Sequence, residues 1–190
     1  IEGPISDKGS YLISVRDSYL DLLTDIMKMD AAPRYADYQI KTVYDLNPKQ
    51  KLSLFGMFGN DHITSDKKKA VDNKQLFFGS DDNYENTLGI NLQSLWNKDA
   101  YSNTSVSGNI IRYGNIYYET GSEKLMMQNK ADENVFKLRN SNHFKLSANH
   151  DIEFGIEFKY LEDKYNNYYS DYTDASGDQT SALIMKKTLK

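Results

Sequence analysis

Cysteine is absent from the 190 residues. That excludes a disulfide framework, a cysteine metal site and a cysteine nucleophile, and it fits a compartment where free thiols would oxidise. Proline occurs only three times, so little interrupts long strands. No apolar run approaches the roughly 18 residues of a membrane-spanning helix, and no secretory signal is visible. Positive charge is not in excess: the net charge is −4, which argues against a nucleic-acid partner. Nucleophile-elbow, phosphate-loop and dinucleotide motifs are missing, so neither an enzyme nor a cofactor is expected. Apolar residues make up 39%, below the roughly 45–50% of ordinary globular domains. For a helical membrane protein this would be decisive. A membrane barrel is not excluded, because only alternate residues face lipid.

Tyrosine is abundant, with 15 residues, and the apolar residues are ordered with period two. Residues 34–60 are the stretch the rest is organised around. Tyr38, Ile40, Tyr44 and Leu46 share one face, with Gln39, Lys41 and Asp45 on the other. Asn47-Pro48 breaks the run, since proline fixes its own φ and pushes its predecessor out of the helical region. Beyond it Leu52, Leu54 and Phe58 alternate with Lys51 and Ser53. Period-two alternation on both sides of a short turn predicts a hairpin. Its strands exceed the roughly five or six residues usual in soluble sheets and match the roughly nine to eleven of a strand tilted across a bilayer.

The same signal recurs along the chain. A strand tail at 1–5 is followed by a turn at 6–9, where Gly9 can supply positive φ. A strand follows from residue 10 to about 22, with a short helix at 20–29 as the alternative. Further strands are predicted at 87–96, 104–118, 135–148, 152–160 and from about 182. The cleanest alternation sets Ile152, Phe154, Ile156, Phe158 and Tyr160 against Glu153, Gly155, Glu157 and Lys159. Short turns at 6–9, 47–50, 97–103 and 149–151 alternate with polar loops at about 23–33, 61–86, 121–134 and 163–180. This rhythm predicts an all-β, antiparallel up-and-down meander with its short turns on one rim, a segment of a large transmembrane β-barrel.

Two stretches carry a resemblance. GPISDKGSYLISVRDSYLDLL at 3–23 and AAPRYADYQIKTVYDLNPKQKLSLFGMFGND at 31–61 resemble the first barrel strands after the plug of TonB-dependent outer-membrane receptors. ANHDIEFGIEFKY at 148–160 resembles the repeated hairpin of that family. The resemblance implies a barrel of about 22 strands around a plug, energised through TonB, importing ferric siderophores, cobalamin, glycans or similar scarce solutes. It implies a Gram-negative outer membrane. The implied partners are lipid, the receptor's own plug and remaining strands, TonB and a small-molecule ligand. The chain departs from the pattern. It has about nine strands with the first truncated, no visible plug or TonB-box segment, and no terminal aromatic residue. Residues 1–190 are therefore read as the N-terminal part of a barrel domain. The alternative is a structural or adhesive β-sheet surface protein that binds a partner through its long loops.

Candidate site residues are few. Tyr165, Tyr168, Tyr169 and Tyr172 offer stacking surfaces for a sugar or an aromatic chelator; the plain alternative is an aromatic girdle at a membrane interface. Arg16 and Arg139 fall on polar faces and can pair with plug carboxylates. Arg112 falls on the mostly apolar face of its strand, which requires a bulge or a different register. His62, His143 and His150 have no metal-ligand spacing. Asp171, Asp174 and Asp178 with Gly177 do not match a calcium loop, so no metal site is expected.

Overall fold

The computed structural model describes residues 1–18, 31–173 and 176–190. The helix alternative at 20–29 and Asp174 lie outside them. Nine strands form one antiparallel sheet: β1 (Glu2–Ile5), β2 (Gly9–Asp17), β3 (Ala31–Asn47), β4 (Gln50–Ser65), β5 (Phe77–Asn97), β6 (Ala100–Glu119), β7 (Leu125–Ser147), β8 (His150–Tyr169) and β11 (Leu183–Leu189). Each pairs with its sequence neighbour, except that β8 pairs with β11 across a two-residue pair, β9 (Tyr172–Thr173) and β10 (Gln179–Thr180). The meander is as expected, and the sheet is open rather than closed into a barrel.

The strands run well past the expected ends. β5 has 21 residues and β7 has 23. Residues 77–86 and 125–134, expected in loops, are ladder. Their polar side chains hide the alternation, but the backbone continues the register: Asp81 opposes Asn115 and Asn115 opposes Asn129. The connection at 120–124 is therefore short, which breaks the strict alternation of short and long. The lysines of 67–69 lie in a helix, α1 (Lys67–Asp72), capped by Asp66, whose Oδ1 accepts from the Lys68 N–H at 2.8 Å.

The other rim is uniform. In each tight hairpin the pairing shifts just before the turn, between Asp45 and Asn47, Leu95 and Asn97, and Lys145 and Ser147. The extra residues are Leu46, Trp96 and Leu146, and all three are exposed. The next side chain then accepts from the backbone two residues on. Asn47 Oδ1 takes the Lys49 N–H at 2.9 Å, Asn97 Oδ1 the Asp99 N–H at 2.8 Å, and Ser147 Oγ the Asn149 N–H at 3.3 Å. These are Asx- and Ser-turns, which explains the residue types chosen. At the first turn positive φ falls on Ser6 (57°), not on Gly9. Gly9 is required for a different reason: a Cβ there would sit 2.6 Å from Tyr44 Cδ2.

Among the described residues no second layer covers the sheet. Among the described residues the only buried apolar side chains are Ala70 and Ala100. The chain exposes 13536 Å², whereas a compact monomer of its 21.9 kDa would expose about 9,300 Å². The two faces differ. On β5 the apolar face is open, with Leu88 57% and Ile90 49% exposed, while Thr87, Gly89 and Asn91 between them are half-buried. Side chains crowd on the concave side of a curved sheet. On β5 it is thus the polar face that is the more crowded one.

Close strand approach makes one glycine sensitive. A Cβ on Gly79 would lie 2.0 Å from the Ile116 carbonyl oxygen, while one on Gly108 meets nothing within 4 Å. Gly79→Ala is expected to cost roughly 1–3 kcal/mol through forced backbone movement, and Gly108→Ala to stay within about 0.5 kcal/mol of the parent. Unfolding titrations of both variants check the contrast.

Candidate functional site

Opposed residues of an antiparallel ladder share a face, so the register draws each face row by row. One row runs Leu54, Ile90, Val106, Leu138, Phe158 across β4 to β8. The neighbouring row runs Ile13, Ile40, Gly56, Leu88, Gly108, Phe136, Tyr160 across β2 to β8. Together they make an apolar belt on the turn-side half of the strands. On β7 the belt and its rim run from Phe136 to Leu146, about 33 Å of strand. A polar seam crosses it and is internally bonded: Asn142 Nδ2 donates to Asn140 Oδ1 at 2.6 Å, and Asn140 Nδ2 to Thr104 Oγ1 at 2.9 Å.

The belt ends abruptly on the same face. Two rows above Tyr160 the sequence is Asn60, Tyr84, Arg112, Asp132, Lys164. Arg112 pairs with Asp132 at 3.8 Å, and in the next row His62 Nδ1 meets Asp82 Oδ1 at 2.6 Å. Arg112 therefore needs neither a bulge nor a changed register. Strict alternation is right, and the residue sits beyond the edge of the belt.

The opposite face is mixed: it carries most of the charged side chains level with the belt, but also Val43, Phe55, Met57, Ile111, Val135 and Leu161. Arg16 is there and donates from Nε to Asp37 Oδ1 at 2.9 Å, so a neighbouring strand already supplies its counter-charge. Arg139 opposes Ser105 and Glu157 and has no ion pair among the described residues. It lines a shallow depression with Glu153 and Glu157. His143 stacks on Tyr101 with ring centroids 4.9 Å apart, while His62 is on the other face and His150 opens β8. Among the described residues no three His, Asp or Glu side chains are grouped to hold a metal ion. Asp171 is engaged by Lys124 Nζ at 2.7 Å. That hydrogen bond pulls its carboxyl below the usual range, and Ser170 adds to the effect.

The four tyrosines do not form one cluster. Tyr165, Tyr168 and Tyr169 are in β8 rather than in a loop. Tyr165 and Tyr169 lie on the polar face, opposite Ala131 and Met127, whereas Tyr168 is on the other face, opposite Gln128. Tyr172 is in β9.

The register instead assembles a group that sequence reading did not single out. Asp81, Asn115, Asn129 and Asn167 form one row across β5 to β8 on the polar face. Asn83, Tyr113 and Tyr165 belong to the row on the belt side, and Tyr117 and Tyr169 to the row beyond. Tyr113 Oη accepts from Asn115 Nδ2 at 2.9 Å, and Tyr117 donates its hydroxyl to Asp81. The side-chain oxygens of Asn115, Asn129 and Asn167 and Oδ1 of Asp163 are shielded without a partner among the described residues. Each such acceptor costs about 1–3 kcal/mol unless a donor reaches it. The signal available in sequence was parity: all these residues occupy odd positions. It could be used only once residues 77–86 and 125–134 were known to be strand.

Tyr117 has its phenol pKa pushed up from 10.0 to about 12, first by burial and then by the hydrogen bond to Asp81 and the charge of that carboxylate. Its folded pKa lies above the unfolded one, so its contribution to stability is complete below pH 10 and lost as pH rises towards about 12. Ultraviolet titration of the phenolates is expected to show Tyr117 among the last tyrosines to ionise, and Asp81→Asn to move it towards the ordinary range.

No protein-family model, no curated protein and no solved structure matches this chain; what identifies its chemistry is the arrangement of its own residues.

Proposed function

We propose that this chain is a stretch of barrel wall from a TonB-dependent uptake receptor in the outer membrane of a Gram-negative bacterium. The observation that carries the reading is the unequal crowding of the two faces, which we read as a sheet curling towards its polar side. The apolar belt is on the open side and the charged face on the crowded side. A soluble barrel or sandwich curls the other way, with apolar side chains inward. A membrane barrel presents its apolar band to lipid and its polar face to the lumen.

The belt dimensions support the same reading. The 33 Å or so of strand from Phe136 to Leu146, tilted by 35–45°, stands roughly 23–27 Å tall, against an outward apolar band of about 25 Å. Tyr38, Tyr84 and Tyr160 flank its upper edge, and Tyr44, Trp96 and Phe144 its lower edge. Such rings sit at headgroup level in membrane proteins. Above them the strands continue as a polar wall outside the bilayer. The wording of residues 3–23 and 31–61 adds the receptor family to the barrel.

The role of this stretch is then passive. Its outer face seals against lipid and its inner face meets the plug, with Arg139 free to pair with a plug carboxylate. The extended strand ends receive the solute. Import itself requires the plug and TonB, which act from outside these residues. An adhesive sheet is the other reading. It requires a second layer over the belt, and among the described residues the elements outside the sheet are α1, which lies against β5, a single turn at Ser6–Lys8 and the two-residue pair β9–β10.

A charge placed on the belt tests the proposal. In the full chain, Leu138→Arg, one row inside the upper edge of the belt, is expected to cost about 1–3 kcal/mol, between the interface and midplane values, and to deplete the protein from the outer-membrane fraction. Glu157→Gln, one position off on the inner face, is expected to assemble normally. A full chain that stays in water without detergent, with Leu138→Arg equally soluble, overturns the reading.

A further inference from the structure

We propose that the upper polar face of β5 to β8 is a binding site for a neutral oligosaccharide, held by the row Asp81, Asn115, Asn129 and Asn167 with Tyr113 and Tyr165 beside it. Adjacent strands are about 4.8 Å apart, so the row offers a planar hydrogen-bonding group at each step over about 14 Å, the length of a short run of sugar rings. An amide donates at one end and accepts at the other. A sugar hydroxyl does both, and an array of hydroxyls is the complement of an array of amides. Asn129 and Asn167 have no hydrogen-bond partner among the described residues, and Asn115 uses only its Nδ2 on Tyr113. Rotation of each amide brings its shielded oxygen to an incoming hydroxyl. Tyr113 is 41% exposed and Tyr165 half-buried. Each is an apolar plate with a polar tip, suited to the C–H face of a pyranose ring.

Charge selects the class of ligand. Glu85, Glu133 and Asp163 occupy the same face one row below Tyr113 and Tyr165. The cation of β11 on this face, Lys187, is opposite Tyr165, one row above Asp163. Burial, Asp163 and Glu133 together raise the Tyr165 phenol above its ordinary pKa, keeping it a neutral donor. An anionic sugar or an anionic iron chelate is repelled here, whereas a neutral glycan is not.

This assignment rests on the reading of this face as the wet side of a barrel, so insertion and binding are measured separately. The full chain in detergent micelles is titrated calorimetrically with neutral gluco-, xylo-, manno- and chito-oligosaccharides, with oligogalacturonate and with a ferric trihydroxamate chelate. At least one neutral series is expected to bind, and oligogalacturonate at least tenfold more weakly. The double variant Asn129→Ala/Asn167→Ala is expected to lose at least tenfold in affinity. Tyr165→Phe should retain binding and Tyr165→Leu should lose it; this pair separates ring stacking from a folding defect. Binding of no neutral series, equal binding by the asparagine variant, or binding of the chelate alone overturns the site. A chain that inserts into phospholipid vesicles yet binds no oligosaccharide overturns the site and leaves the receptor reading intact. One that binds but never inserts keeps the site and overturns the receptor reading.

Discussion

The arrangement of this sheet depends on one residue in each tight hairpin, the extra one inserted before the turn. A two-residue turn pairs Asn47 with Gln50. Continued without a shift, that pairing would set Tyr44 against Ser53 and turn Lys51, Ser53 and Phe55 to the apolar side. The bulge at Leu46 moves the ladder by one, so that Tyr44 meets Leu52 and Thr42 meets Leu54. The same correction occurs at Trp96 and Leu146. A one-residue slip flips every side chain of a strand to the other face, so each bulge decides where a whole strand puts its apolar residues. From β3 to β8 the paired even positions then share one face, apart from a local shift at Tyr118. The bulge residues are large and apolar, and they are added to the lower edge of the belt. Trp96 also covers Ser102, to which its indole N–H donates at 3.1 Å.

With the faces aligned, cohesion comes from the backbone ladders and cross-strand contacts alone. Sheets that stand by themselves in water bury one face against another layer. This one buries neither, and its open face is its greasy one. The edges carry a related constraint. β11 covers only Asp163–Tyr169 of β8, so among the described residues the stretch from His150 to Glu162 has no outer neighbour. Unpaired backbone beside Ile152, Phe154, Ile156, Phe158 and Tyr160 invites another strand, and within a bilayer it demands one. Belt and edge thus call for the same surroundings: lipid on one side and more wall beside.

How much of this was legible in sequence follows from where apolar residues fall. Period two exposes a strand only where one face is apolar, and here that is the belt. Residues 87–96 and 152–160 were readable because Leu88, Ile90, Phe154 and Phe158 mark alternate positions. Residues 77–86 and 125–134 were not, because both of their faces are polar above the boundary, and Asp-Asp-Asn reads as a turn. The same limit hid the asparagine row, whose members come from four strands and meet only through register. Tyr165, Tyr168 and Tyr169 looked like a cluster because they are close in sequence, yet alternation sends Tyr168 to the opposite face. Arg112 shows the converse: its parity was right, but the height at which the apolar face ends is a property of five strands together.

That height gives the two faces different meanings. On the belt side, charge starts within one row across neighbouring strands, at Arg112, Asp132 and, one row lower, Glu162, although nothing in the backbone changes there. A boundary shared by strands distant in sequence points to an external plane rather than to local folding. The inner face shows no such line. Lys41, Lys137 and Arg139 lie level with the belt, and asparagine, tyrosine and acidic side chains take over above it. On the reading proposed above, a wall whose outside senses a plane and whose inside does not is wet within and passes through a slab of oil. On that reading the asparagine row stands above the plane, where solute arriving from outside meets the inner wall before it meets whatever fills the lumen.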